Sequence, residues 1–373
     1  MKKDRELQLF AMTAPGLEEV CAGELAPLVT GGVQPVPGGV EFRGGLREIY
    51  LANLWLRSAS RVLVRVDFFR CRSFPELFQR ARRQPWGQFL RPHDPFTVQA
   101  SSRGSRLFHT GRLAECVGEA VGGALGGEAV APATTGQRLL VRLEDDLCQL
   151  SVDSSGELLH RRGYRQERAP APLRETLAAG MLLLAGWAGG EALVDPLCGS
   201  GTLPIEAALL AAGRPPGAER SFAFMDWPGY RPGLWQALLT EAAGRQTVPE
   251  VRIEGSDRDS EVMALARRNA ERAGVGTSLQ WQNASLEERV LPPGPGLLVA
   301  NPPYGERLGR AQDLPRLFAA LGALCRRGGA GWSCLFLAPD AALARATGLT
   351  LQRLERFSNG GIEVLLYLGH AAQ

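Results

Sequence analysis

From Ala192 onward the chain alternates short apolar runs with longer amphipathic ones, and this rhythm narrows the possible folds more than any other feature of the sequence. Strands are expected at 192–195, 251–255 and 296–300, with helices after them at 204–211, 260–273 and 313–324. Further strands are expected at 331–337 and 362–368. Strand–helix alternation of this kind builds a doubly wound parallel sheet, because each crossover helix must cover a sheet face to return the chain in parallel. Ligands in such sheets bind at the carboxyl ends of the strands, so the residues that follow each apolar run are where function should be sought.

The first half has a different grammar. The run Leu7–Met12 reads as a strand, 17–28 as a helix, 31–39 as a Gly/Pro turn region and 40–42 as a short strand. Residues 46–56 have helical apolar spacing, and Ser60–Phe69 alternates as a strand. A second α+β unit follows, with helices at 74–83 and 110–125 and a strand at 96–101. The strands 137–144 and 147–153 then flank an acidic turn, Asp145-Asp146. The Pro/Ala stretch 169–172 reads as a linker.

Composition excludes several classes. Seven cysteines are scattered with no CxxC pair, and the four histidines are far apart, which argues against a disulfide framework or a metal site. The longest apolar stretch, 176–194, is broken by Gly180, Gly186, Gly189 and Gly190 and carries Glu191, so no membrane span is expected. The charged N-terminus lacks an apolar signal core, and a cytoplasmic location is the expectation. The net charge of +3 conceals an asymmetry: between Arg57 and Arg112 twelve arginines face three acids, Asp67, Glu76 and Asp94. A second cluster stands at Arg161, Arg162, Arg165 and Arg168. A solvated surface is the bland explanation; a phosphate-binding face is the functional one, with Phe68, Phe69, Phe74, Phe78, Trp86, Phe89 and Phe96 interleaved.

Four strand ends carry chemistry. In Asp195-Pro196-Leu197-Cys198-Gly199-Ser200-Gly201-Thr202 the glycines let a ligand approach the backbone at a helix start. Asp195 suits a ligand bearing a cation, such as S-adenosylmethionine, and Pro204 stands where a dinucleotide fingerprint would need its third glycine. At the next strand end Asp257 can accept both hydroxyls of a ribose, while Asp259 or Ser260 caps the following helix. Asn283, at the third, can accept from an adenine amine; a structural role near a turn is its alternative. The fourth motif is Asn301-Pro302-Pro303-Tyr304-Gly305. Two prolines make the loop rigid and leave carbonyls free. An exocyclic amine on a base is a poor nucleophile, because its lone pair is delocalised into the ring. Accepting its protons on the Asn301 side-chain oxygen and the Pro302 carbonyl frees that pair, and Tyr304 offers a face on which the extracted base can stack.

The first and fourth of these motifs, with Asn301-Pro302-Pro303-Tyr304 continuing into Gly305-Glu306-Arg307-Leu308, together resemble those of the THUMP-domain RNA guanine-N2 methyltransferases. The stretches 161–165 and 172–178, the aromatic segment Ser221–Phe224 with Trp227, and Ser358–Gly361 are similar to further stretches of that family. The resemblance covers essentially the whole chain. It implies an α/β protein with a Rossmann-like class I methyltransferase domain at 161–373. That domain would be preceded by an α+β ferredoxin-like domain at 1–60 and a THUMP domain at 61–160. It implies S-adenosylmethionine as cofactor, bound by Thr176, Asp195, Cys198, Gly199, Ser200, Gly201, Thr202, Asp257, Asn283 and Asn301. Asn301, Pro302, Pro303 and Tyr304 would be catalytic, and Arg70, Arg72, Arg82, Arg83, Arg103, Arg106, Arg161 and Arg162 would meet RNA. Asn283 departs from the Asp that the family usually has near the adenine. The implied substrate is structured RNA, with guanine N2 of 23S ribosomal RNA first and transfer RNA second. An adenine-N6 methyltransferase of DNA and a non-catalytic RNA-binding assembly factor are the remaining alternatives, since the Asn-Pro-Pro-Tyr motif alone does not separate the bases or the nucleic acids.

Overall fold

The computed structural model describes residues 6–126, 135–166, 173–303, 314–359 and 361–371, and the chain divides into two units. One comprises residues 1–13, 22–159 and 220–239; the other comprises residues 14–21, 160–219 and 240–373.

Seven described strands of the first unit form one sheet: β1 (Leu7–Thr13), β2 (Val33–Val36), β3 (Gly39–Gly44), β4 (Ala59–Arg70), β5 (Phe96–Arg103), β6 (Gln137–Glu144) and β7 (Leu147–Asp153), in the order β2-β3-β1-β4-β7-β6-β5. Its helices are α2 (Leu46–Trp55), α3 (Phe74–Arg82) and α4 (Thr110–Ala124), while α1 (Glu18–Leu25) spans a division between units. The twelve-residue strand β4 pairs antiparallel with β1 on one side and β7 on the other. The Asp145-Asp146 turn joins β6 to β7 with both residues at positive φ, 49° and 62°, the twist a two-residue hairpin requires. β2 lies inside the stretch expected to be only a turn; its Pro35 is tolerated because β2 is an edge strand. Residues 220–239 complete this unit's core. Tyr50 stacks on Phe224 at 4.4 Å between ring centroids, Phe222 stacks on Phe224 at 5.3 Å, and Trp235 meets Tyr50 edge-on. Trp227 donates its indole N–H to Gln137 Oε1 at 2.7 Å.

The second unit holds the expected doubly wound sheet. Its strands are β8 (Ala192–Asp195), β9 (Ile253–Asp257), β10 (Gln280–Asn283), β11 (Gly296–Ala300), β12 (Trp332–Ala338), β13 (Thr350–Asn359) and β14 (Ile362–His370), ordered β10-β9-β8-β11-β12-β14-β13. The first five run parallel, and β14 enters antiparallel between β12 and β13. Helices α5 (Glu175–Leu184), α6 (Thr202–Ala211), α8 (Ser260–Arg272), α9 (Leu314–Arg327) and α10 (Ala341–Ala346) accompany the sheet, and α7 (Pro232–Gly244) carries the chain in from the first unit. β13 is a strand that periodicity does not announce. Its charged residues fit a helix as well, and the register shift between Arg353 and Glu355 breaks the alternation. The linker expected at 169–172 lies outside the described residues.

Candidate active site

The sheet order brings three of the four motifs side by side, because β8 lies between β9 and β11. Asp195 pairs in register with Gly255, and Asp257 stands two residues further along β9; Asn301 directly follows β11. All three therefore sit at the carboxyl edge of neighbouring strands, whose spacing is about 4.8 Å.

The loop after β8 is folded onto β9 by its own backbone. Cys198 N donates to Ser256 O at 2.9 Å, and Gly201 N donates to Cys198 O at 2.9 Å. Gly201 is held at φ 83°, and a Cβ there would lie 2.8 Å from the Trp281 ring. Gly199, at φ 52°, has open space where its Cβ would be, so the loop leaves room on that side. Asp257 braces the loop: its Oδ2 accepts from Gly199 N at 3.2 Å and its Oδ1 from Asp259 N at 3.1 Å. Asp259 caps α8 through Glu261 N and Val262 N, the capping role expected near this strand end.

Asp195 is 2% exposed and accepts from Leu197 N at 3.1 Å. Among the described residues no cation is paired with it. Burial, and then the neighbouring Asp257 charge, push its carboxyl up to about 8. Asn301 presents a similar vacancy in hydrogen bonding: its Oδ1 is shut off from solvent and has no partner among the described residues. A buried carbonyl oxygen without a donor is destabilising by about 1–3 kcal/mol unless something else supplies one.

The remaining expected residues surround this centre in different ways. Cys198 turns its thiol toward Met263 Sδ at 3.6 Å, and Ser200 O accepts from the buried amide of Asn269 at 3.1 Å. The Thr202 hydroxyl accepts from Arg165, whose guanidinium also meets Glu175 at 3.4 Å and Leu173 O at 3.2 Å. Thr176 is buried beside Glu175 in the first turn of α5. Asn283 donates through Nδ2 to Asp257 O at 2.8 Å. Pro302 and Pro303 follow Asn301 among the described residues, and Tyr304 lies outside them. Arg165 and Asn269 steady the glycine loop; Asn269 is not singled out from sequence, and Arg165, expected only as part of a basic cluster, turns to Glu175 and Thr202 instead. The visible sign for Asn269 is an amide on the same face of α8 as the buried Met263 and Ala266.

Of the eight arginines expected to meet RNA, Arg70, Arg72, Arg82, Arg83, Arg103, Arg106 and Arg161 are exposed. Arg162 corrects the expectation. Its side chain is buried, with NH2 3.6 Å from Glu206 Oε2, and Tyr164 donates its hydroxyl to Glu206 Oε1 at 3.1 Å. A carboxylate on the interior of the apolar helix α6 needs a cation beside it, and Arg162 supplies that charge instead of facing solvent.

Residues 162–367 match the family described as the RMKL-like methyltransferase domain. The chain belongs to this family. Ahead of that domain, residues 8–63 match the RlmL ferredoxin-like domain and residues 71–153 the THUMP domain. The RMKL-like chain is 38% identical over 374 residues to the ribosomal RNA large subunit methyltransferase K/L of Methylococcus capsulatus, covering 96% of the chain and 50% of that relative. It spans about half the length of the first such K/L relatives it matches. It is also 32% identical to an RNA methyltransferase-named protein of Synechocystis, slr0064, with 96% of the chain and 95% of that protein covered. Among solved structures, a methyltransferase complexed with SAH superposes with a TM-score of 0.89 at 30% identity, covering 100% of both chains. The second unit thus has the class I methyltransferase fold, preceded by ferredoxin-like and THUMP domains.

Proposed function

We propose that the chain is an S-adenosylmethionine-dependent RNA methyltransferase that modifies guanine N2, with 23S ribosomal RNA as its substrate and the cytoplasm as its place of action. We divide it at residues 60 and 160 into ferredoxin-like, THUMP and methyltransferase domains. The observation that carries the reading is the convergence of Asp195, Asp257 and Asn301, whose Oδ1 has no partner among the described residues, on adjacent strand ends. The K/L relatives support the choice of ribosomal RNA, and the SAH complex supports the cofactor.

The residues fit that cofactor on two counts. The buried Asp195 carboxyl has no cation beside it among the described residues, and the open side of Gly199 leaves space against the backbone. S-adenosylmethionine, when bound, supplies an electrophilic methyl group. Asp195 would hold a cationic group of the ligand, Asp257 would accept from ribose hydroxyls, and Asn283 would offer its Oδ1 to the adenine amine. Thr176, Cys198, Gly199, Ser200, Gly201 and Thr202 would form the surrounding wall, with Arg165 fixing Thr202 in place. Asn301 Oδ1 and the Pro302 carbonyl would accept the two protons of the guanine amine, turning its lone pair out of conjugation with the ring. Pro303 keeps the loop rigid, and Tyr304 would stack on the extracted base.

Methyl transfer from labelled cofactor to separated ribosomal RNA, transfer RNA and DNA, followed by nucleoside analysis, tests the proposal. N2-methylguanosine from ribosomal RNA is the expected product. N6-methyladenine in DNA, or no transfer to any of the three, would overturn it.

A further inference from the structure

The segment between β5 and α4 is fixed at both ends. Arg106 N donates to Asp146 Oδ1 at 2.8 Å, Asp146 N donates to Ser105 Oγ at 3.0 Å, and Ser102 Oγ donates to Leu107 O at 2.7 Å. Arg72 Nε binds the other Asp146 oxygen at 2.7 Å, and these bonds hold the Asp146 carboxyl below its ordinary range. Beyond the segment, His109 caps α4 by accepting from Arg112 N at 3.1 Å. Within this tied backbone Leu107 is buried, yet Phe108 is 78% exposed.

Phe108 precedes the cap of α4, where an apolar residue normally packs on the fourth helical residue. Here that residue, Leu113, is fully buried without it. A large apolar side chain is therefore left mostly in water on a tied backbone. Arg103 and Arg106 lie beside it in sequence, exposed and in no ion pair among the described residues, with Asp145 and Asp146 on the turn that ties the segment's backbone. The exposed phenylalanines among the described residues, Phe68 and Phe108, both lie in the arginine-rich segment 57–112.

We propose that Phe108 is a stacking platform for an unpaired nucleotide of the RNA substrate, with Arg103 and Arg106 on the adjoining phosphates; the inference rests on the RNA reading above. A rigid exposed ring beside cations suits a splayed base, because stacking needs only a π-face and the phosphates supply the complementary charge. A base held in a duplex would be unavailable to it.

The full chain can be titrated with a blunt RNA hairpin and with the same hairpin carrying short unpaired tails that contain 2-aminopurine. Phe108→Ala is expected to weaken the tailed hairpin by about fivefold to a hundredfold and to abolish fluorescence quenching in the tail. The same variant should leave the blunt hairpin, the salt dependence and the melting temperature unchanged, and Phe108→Trp should restore tail binding. Arg106→Ala should lower the slope of log affinity against log salt by about one. Salt-dependent binding of both hairpins that Phe108→Ala leaves intact would overturn the stacking role while the RNA reading stands. If the unaltered chain binds neither hairpin, the RNA reading falls and this role with it.

Discussion

The raised carboxyl of Asp195 makes cofactor binding depend on pH in a calculable way. In the ligand-free chain this group titrates at about 8 because burial and Asp257 oppose its charge. A cationic ligand binds the ionised form, so protons compete with it, and affinity falls by up to tenfold for each pH unit below 8. Lowering the pH from about 7.5 to about 5.5 should then weaken binding roughly fiftyfold to a hundredfold, or about 2.7 kcal/mol at most. Over that range the ligand's own amino group stays largely protonated, since such groups titrate at about 7.7–8. Calorimetry with S-adenosylmethionine and S-adenosylhomocysteine measures this directly. Equal dependence for both assigns the contact to the ammonium they share; dependence for the first alone assigns it to the sulfonium. Asp195→Asn should bind weakly and with a nearly flat profile. The same shift acts on stability with a definite sign: the native state holds the proton more tightly than the unfolded chain. The group's contribution therefore declines as pH rises from about 4 to about 8, and melting temperatures should fall more in the unaltered chain than in Asp195→Asn. A cofactor affinity that varies less than threefold between the two pH values would refute the placement of a cation at Asp195.

Asn301→Ala should reduce single-turnover methyl transfer by about 10²–10³ with little change in cofactor affinity, because its oxygen acts most strongly on the nitrogen as that atom becomes nucleophilic. Stopped reactions on a verified RNA substrate check this, and near-normal rates would place amine activation elsewhere. Arg162→Ala should destabilise the fold by about 3–5 kcal/mol, since Glu206 would be left charged and buried. Denaturant melts should register that loss, while the salt slope of RNA binding in folded protein stays the same. Tyr304→Phe should keep most activity and Tyr304→Ala should lose productive capture of the base, a difference worth about 1–3 kcal/mol in kcat/KM.

The strand ends of the second unit were legible because parallel sheets confine ligand chemistry to one edge, so Asp195, Asp257 and Asn301 could be placed together before any geometry was known. Arg162 was not, because an arginine in a basic run looks the same whether it meets phosphate or a carboxylate that lies far along the chain. The sign available was Glu206 itself, a lone acid in the otherwise apolar Thr202–Ala211 helix. Phe108 was missed for the opposite reason: a single aromatic before a helix reads as a packing residue, and only its exposure separates it from Leu107. The packing of Phe222, Phe224 and Trp235 around Tyr50 has no periodic trace, since contacts between an irregular segment and a distant helix leave no repeat in sequence.

That packing has a consequence for how the protein is made. Tyr50 is made early in synthesis, but its partners Phe224 and Trp235 are among the residues of the 220–239 segment, which the ribosome adds only after residues 160–219 of the second unit. At about 5–20 residues per second, the interval between completing β7 and completing that segment is roughly 4–17 s. Through that interval Tyr50 has been made without the rings of Phe224 and Trp235 that pack on it in the finished fold. The first unit therefore cannot be complete until residue 239 has been added, although the last strand of its sheet ends at Asp153.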